Sequence, residues 1–336
     1  MLPLVQVSRG HLMRRSLRVL TALTILMYLA GCAAIGIAAS ESALRPPRGR
    51  WPTDAMTYAR HVAHEASGAR ATGVTVSVRE VTLDRPDGVT LRAWSFETPR
   101  PDAPTVLLLH GVSDSRRGMM GLAALFLRDG YRVLAPDARG HGVSGGLATY
   151  GVREADDVRA WAGWAAARTS GACVYGLGAS MGGAHLLQAS AGARVFCAVA
   201  TESSFSSFRE VAFDRIGQRI GAGPWAGRWL LRPVIEFGLV YTAWRYGVDL
   251  RQADPAAAIA RTPTPVLLMH GTADTNIPPR HAERLHAANP HATLWLVKDA
   301  AHVDASLVAP DEYADRVLTF FASHARAARA TSVPLR

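Results

Sequence analysis

The chain is short of cysteine, of acidic residues and of charge altogether. Only three cysteines occur in 336 residues, Cys32, Cys173 and Cys197. That is too few for a disulfide framework or a cysteine-based zinc site, and Cys173 and Cys197, in apolar runs, read as core residues. Charged residues make up 19% of the chain against 49% hydrophobic, a balance that excludes intrinsic disorder. Acids number 27 against 37 Lys and Arg, a formal charge of +10, but the excess sits at the ends. Residues 1–50 carry seven arginines and one acid, and residues 325–336 three arginines and no acid, which leaves 51–324 at +1. A body so close to neutral has no electrostatic basis for nucleic-acid binding. Internal repeats and low-complexity tracts are also missing, and the length suits one large domain or two modest ones.

What is present begins with a membrane signal. Arg9, Arg14, Arg15 and Arg18 precede Val19–Ala39, 21 residues without a charge, enough as a helix to cross a hydrocarbon core of about 30 Å. A basic N-terminal flank keeps that end cytoplasmic and sends the remainder out. Within the run, Leu29-Ala30-Gly31-Cys32 resembles a bacterial lipobox, in which the chain is cut before the cysteine and the cysteine is lipidated; Cys32 is therefore the lipidation candidate. Met13-Arg14-Arg15 would also open such a signal, so the true start stays open. A lipoprotein usually turns polar after the cysteine, whereas this chain continues Ala-Ala-Ile-Gly-Ile-Ala-Ala, as an uncleaved anchor does. Either reading attaches the product to a membrane, facing the periplasm or cell exterior. Beyond it, Leu44–Arg50 reads as an exposed linker, because its prolines and arginines oppose helix and burial. The chain thus divides into a signal or anchor (1–40), a linker with a helical segment (41–73), a body (74–325) and a basic tail (326–336).

In the body, Val74–Leu83 and Val89–Phe96 alternate apolar and polar residues around Pro86-Asp87-Gly88, the pattern of an antiparallel hairpin. After Pro104, continuously apolar runs take over: Val106–Leu109, Val133–Ala135, Cys173–Tyr175, Phe196–Ala200, Val266–Met269 and Leu294–Val297. They alternate with helical spacings such as Arg153–Arg168 and Arg280–Ala288. Such runs between helices predict an α/β fold, a mostly parallel twisted sheet covered on both faces. The aromatic-rich stretch 204–250 breaks the alternation and reads as a small helical cap insertion.

Gly178-Ala179-Ser180-Met181-Gly182 is a G-x-S-x-G motif directly after one apolar run and before a helical one. A serine at a sharp strand-to-helix turn is strained and needs small neighbours, and the turn lifts its hydroxyl above the sheet edge. A dinucleotide-binding reading of Gly176, Gly178 and Gly182 fails on spacing and on position in the chain; a purely structural glycine turn remains an alternative. A serine nucleophile needs a base, and the base an orienting carboxylate. Asp274 and His302 each follow an apolar run, in the order Ser…Asp…His. Glu202, after the neighbouring run, is the rival acid; Asp299 and Asp304 read as loop residues, and His110 and His270 as turn formers. His61-x-x-His64-Glu65 does not match a zincin. The oxyanion hole should use the amides of Met181, next to the serine, and Val112, in the loop after Val106–Leu109; Ser113 could add a hydroxyl.

Together with Pro136-Asp137-Ala138-Arg139-Gly140-His141-Gly142-Val143-Ser144, His110-Gly111 and His270-Gly271-Thr272-Ala273-Asp274, these residues give the chain a resemblance to the α/β-hydrolase superfamily over roughly 74–325. The most similar branch is that of serine aminopeptidase-like and lysophospholipase-like hydrolases, mainly esterases. The resemblance implies a serine hydrolase cleaving carboxylic esters through an acyl-enzyme, without metal or organic cofactor, on a small-molecule or lipid ester. In that family the segment like Asp137–Ser144 shapes the loop beside the site. A serine peptidase or an acyltransferase on the same triad, and a non-catalytic tethered scaffold, are the other readings. Oligomeric state is not legible.

Overall fold

The computed structural model describes residues 9–48, 55–68, 75–223 and 225–330, with side chains from Met13 to Ala325. Val74, the last two residues of the Leu44–Arg50 linker and the 331–336 end of the basic tail lie outside the described residues.

A long helix, α1 (Arg9–Leu44), opens the chain, followed by α2 (Ala55–Gly68) and the hairpin β1 (Ser77–Asp84) and β2 (Thr90–Glu97). Then come β3 (Thr105–Leu109), α3 (Met120–Arg128), β4 (Arg132–Pro136), α4 (Glu154–Ala166), β5 (Val174–Ala179), α5 (Met181–Ala189) and β6 (Val199–Glu202). The insertion follows as α6 (Phe208–Arg219), a π-helical turn at Ala226–Leu230, and α7 (Arg232–Tyr246). The chain returns through α8 (Pro255–Ile259), β7 (Val266–Gly271), α9 (Arg280–Ala288), β8 (Thr293–Val297), α10 (Ala305–Val308) and α11 (Pro310–Ala330).

The eight strands form one sheet in the order β1-β2-β4-β3-β5-β6-β7-β8. Only β1–β2 and β2–β4 pair antiparallel; every pair from β4 to β8 is parallel. Strand composition follows position. β3, Thr-Val-Leu-Leu-Leu, is buried along its whole length, whereas β1 at the edge buries only Val81, as expected for a sheet covered on both faces at its centre. One core packs α2, α3 and α11 on one face, with Phe126, Tyr175 and Phe321 stacked within it. The other packs α4, α5 and α9 on the opposite face, around Trp161, Leu187 and Leu285. The expected architecture is what the chain adopts. The body's last helix, however, runs through residue 325 to Ala330.

Two expectations need correction. Cys173 and Cys197 are not free core thiols but form a disulfide. Each lies just before one of the adjacent parallel strands β5 and β6, which brings their Cα atoms to 5.7 Å, within bonding range; cysteine counting could not show that these strands are neighbours. The linker is also less exposed than its prolines and arginines suggest, because Leu44 is buried against the cap and Pro46 is buried as well.

The first helix is apolar and long enough to cross a membrane, by length and composition, over Met13–Leu44. It is not wholly free-standing. Its C-terminal half lies along the π-helical turn and α7, with residue pairs Tyr28–Leu230, Gly36–Val234, Ser40–Gly238 and Glu41–Tyr241 ascending together, so the two helices run side by side in the same direction. A Cβ on Gly36 would meet the Val234 carbonyl oxygen at 2.3 Å, and one on Gly238 the Ser40 hydroxyl at 2.6 Å. Glycine at both positions is what permits this approach.

Candidate active site

Ser180 stands between β5 and α5 with φ 51° and ψ −114°. This is a conformation that side chains normally avoid, held here by close packing on every side. A Cβ on Gly178 would strike the backbone of Gly182 at 2.5 Å, and one on Gly182 the Leu109 carbonyl oxygen at 2.3 Å. The turn is pinned to the sheet by the Ser180 amide, which donates to the Glu202 carbonyl at 2.7 Å.

The Ser180 hydroxyl lies 3.1 Å from His302 Nε2, and His302 Nδ1 lies 2.8 Å from Asp274 Oδ2. A carboxylate only accepts, so Nδ1 carries the imidazole proton and Nε2 is left to accept from the serine. Asp274 is fully held: its Oδ1 accepts the amides of Asn276 at 2.9 Å and Ile277 at 2.8 Å. Burial pushes the Asp274 carboxyl up, but hydrogen bonds from His270, His302 and the Ile277 amide outweigh it and keep the group below the ordinary carboxylate range. His270, read from the sequence as a turn former, packs beneath this loop with Nε2 2.7 Å from the Ile277 carbonyl and 3.3 Å from Asp274.

The rival acid is elsewhere. Glu202 accepts the Ala305 amide at 2.9 Å, fixing the start of α10, and burial raises its carboxyl above the usual range. Hydrogen bonding therefore joins His302 to Asp274 and not to Glu202. Val112 and Met181 line the same cavity as Ser180 and His302. Gly111 packs against the serine, its Cβ position 3.5 Å from that of Ser180. His110 ties this loop to the next: its Nδ1–H donates to the Gly111 carbonyl at 2.7 Å while Nε2 accepts the Ala138 amide at 3.0 Å. Buried Asp137 accepts the amides of Arg116 and Val143 and so shapes the loop it begins.

The cavity over Ser180 measures about 340 Å³. Its walls come from the cap helices α6 and α7 and, unforeseen from the sequence, from the C-terminal end of α1 and the linker: Gly36, Ala39, Ser40 and Pro46. Cys32 lies one turn before Gly36 in the same unbroken helix, its side chain buried.

A second Ser-His-Asp array also escaped sequence reasoning. Ser206 Oγ is 2.9 Å from His281 Nδ1, and His281 Nε2–H donates to Asp214 at 2.8 Å. All three are buried and none lines the cavity, so the array staples α6 to α9. Among the described residues no group of three or more His, Cys, Asp or Glu is placed to hold a metal ion.

A family model described as "Alpha/beta hydrolase family" matches residues 106–316, most of the body and every member of the Ser180 array. The chain belongs to the alpha/beta hydrolase family. Among curated members it is similar to the uncharacterized protein YqkD of Bacillus subtilis, 31% identical over 198 residues, covering 56% of this chain and 61% of the relative. The chain thus spans about three fifths of that relative's length. Among solved structures it is similar to the esterase Pf2001 of Pyrococcus furiosus, with TM-score 0.61 and 23% identity over 84% of this chain and 98% of that one. A puromycin-hydrolyzing peptidase of Mycobacterium tuberculosis gives TM-score 0.56 and 22% identity over 74% and 39%. An esterase and a peptidase on one fold leave the substrate to be argued from the site.

Proposed function

We propose that this alpha/beta hydrolase is a serine esterase. His302 takes the Ser180 proton as the hydroxyl attacks an acyl carbonyl, and Asp274 steadies the imidazolium. The amides of Val112 and Met181 receive the developing oxyanion. Protonation by His302 expels the alcohol, and water, activated by the same histidine, then hydrolyses the acyl-enzyme. The observation that carries this reading is the continuous line Ser180–His302–Asp274 opening into a largely apolar cavity. An aminopeptidase would need an acid to hold the substrate's ammonium group, but no Asp or Glu lines this cavity among the described residues, and its formally charged lining residues are Arg215 and Arg219. Export to an oxidising compartment is supported by the Cys173–Cys197 disulfide and by the basic flank of the apolar helix. The apolar continuation Ala33–Ala39 after Cys32 favours an uncleaved anchor over a lipoprotein.

A fluorophosphonate probe should label the protein at Ser180, and Ser180→Ala should abolish both labelling and the hydrolysis of p-nitrophenyl esters while leaving the thermal melt in place. Undiminished labelling of Ser180→Ala would overturn the assignment. The intact mass of detergent-extracted protein tests the anchor: a product that retains residues 1–31 is expected, whereas a truncated, acylated product starting at Cys32 would make it a lipoprotein.

A further inference from the structure

The outer end of α1 is at once part of the apolar helix and part of the cavity wall. Gly36, Ala39 and Ser40 belong to the charge-free run, and they face the same cavity as Ser180. The first charged residue after Arg18 is Glu41. There the surface changes character: the hydroxyls of Tyr241 and Tyr246 each donate to Glu41 at 2.6 Å, and Arg45 joins the same cluster. On the far side of this polar girdle, both α1 and the cap present apolar side chains to solvent. On α1 these include Ile35 and Ile37; on the cap they are Trp225 (65% exposed), Trp229 (71%), Leu230, Phe237 and Val240. Phe237, Val240 and Trp244 follow helical spacing on one stripe of α7, while Arg232 and Glu236 occupy another. A cluster of large apolar side chains exposed together marks a contact site. Here it is continuous with a helix long enough to span a bilayer, which selects lipid as the occupant.

We infer that the cap beside α1 is immersed in the outer leaflet, with the Glu41–Tyr241–Tyr246 cluster and Trp244 at the water interface, and that the site draws long-chain acyl esters sideways from that leaflet. The geometry supports both halves. Aromatic residues are the side chains favoured at a membrane–water boundary, and an amphipathic helix settles there through its apolar face. A cavity walled by the anchor helix lies at the depth of the acyl chains of its own membrane, so an ester need not cross water to reach Ser180. The substrate half rests on the esterase reading above; the placement half does not.

The test uses the full chain in vesicles of phosphatidylethanolamine and phosphatidylglycerol. Lipids brominated on their tails should quench part of the tryptophan fluorescence, and Trp225→Phe with Trp229→Phe should remove most of the quenched component. Trp225→Ser with Trp229→Ser, both outside the cavity lining, should lower hydrolysis of a vesicle-embedded p-nitrophenyl palmitate by about tenfold or more while leaving soluble p-nitrophenyl acetate unchanged. Quenching equal in wild type and double Phe variant overturns the placement whether or not the protein is active. Quenching without selective loss on the embedded ester overturns the lateral supply. Efficient disulfide cross-linking between copies of Trp229→Cys in the vesicles assigns the face to a second copy and overturns the lipid assignment. If the wild type hydrolyses neither ester and Ser180 is unlabelled, the esterase reading falls and takes the substrate half with it, while quenching still decides the placement.

Discussion

At the scale of single residues, two buried carboxyls near the same histidine, His302, are held in opposite ways. Asp274 sits in a turn that offers it two backbone amides and two imidazoles, so it stays ionised and can hold a proton on Nδ1 of His302. Glu202 is as deeply buried but receives one backbone amide, and burial raises rather than lowers its affinity for a proton. The two should therefore respond differently to the same chemical change. Asp274→Asn leaves the size of the side chain intact but can no longer fix the tautomer; kcat should fall by something on the order of 10⁴, the effect of neutralising a triad carboxylate. Glu202→Gln retains an oxygen that accepts the Ala305 amide, and kcat should stay within a few-fold of wild type. Steady-state kinetics on a soluble ester, with circular dichroism to confirm folding, decides between them. The reverse pattern would make Glu202 the acid.

At the scale of elements, the contact between α1 and α7 joins the apolar N-terminal helix, the cap and the cavity. It is close because Gly36 and Gly238 leave the backbones bare, and that makes it sensitive to a single side chain. Gly36→Leu should drive the helices apart against the Val234 carbonyl, costing about 1–3 kcal/mol as overpacking does, and raise KM for long-chain esters more than for acetate. Gly31→Leu is the control, since a Cβ there meets nothing within 4 Å. Thermal melts and KM values measure both; equal behaviour of the two variants would show that the α1–α7 contact does not support the cavity. The same element shows where sequence reading stops. Ser180, Asp274 and His302 were legible because each follows a buried strand, and a strand's end is a fixed place on a parallel sheet. Helix Arg280–Ala288 was legible from spacing alone, and the edge hairpin from alternation. The docking of α1 was not: its buried positions Cys32, Gly36 and Leu44 differ little in polarity from its exposed ones, so no periodicity betrays a packed face. The disulfide was hidden for another reason, since strand adjacency is a property of topology and not of spacing.

At the scale of the whole molecule, the sharp turn at Ser180, an elbow between β5 and α5, is built over histidines that stay neutral. His110, His141 and His185 are buried together beneath the loops flanking Ser180, with the rings of His110 and His141 5.2 Å apart. Burial lowers all three, and lowers His141 and His185 to about 3 from an ordinary value of 6.5. An unfolded chain takes up protons on these side chains below about pH 6.5, whereas in the native state burial withholds them, from His141 and His185 until about pH 3. Stability from this source is therefore complete above pH 6.5 and is lost as the pH falls through that window, each group costing about 1.4 kcal/mol per pH unit. Between pH 7 and about 4.5, where ordinary glutamates begin to take up protons, the histidines should govern the slope. The melting temperature measured by circular dichroism at constant ionic strength should decline steadily over that interval, and His185→Gln, which removes one refused proton, should make the decline shallower. A melting temperature that holds level from pH 7 to 4.5, or a slope that His185→Gln leaves unchanged, would mean that these rings accept protons in the folded state and that the floor beneath the elbow is open to water.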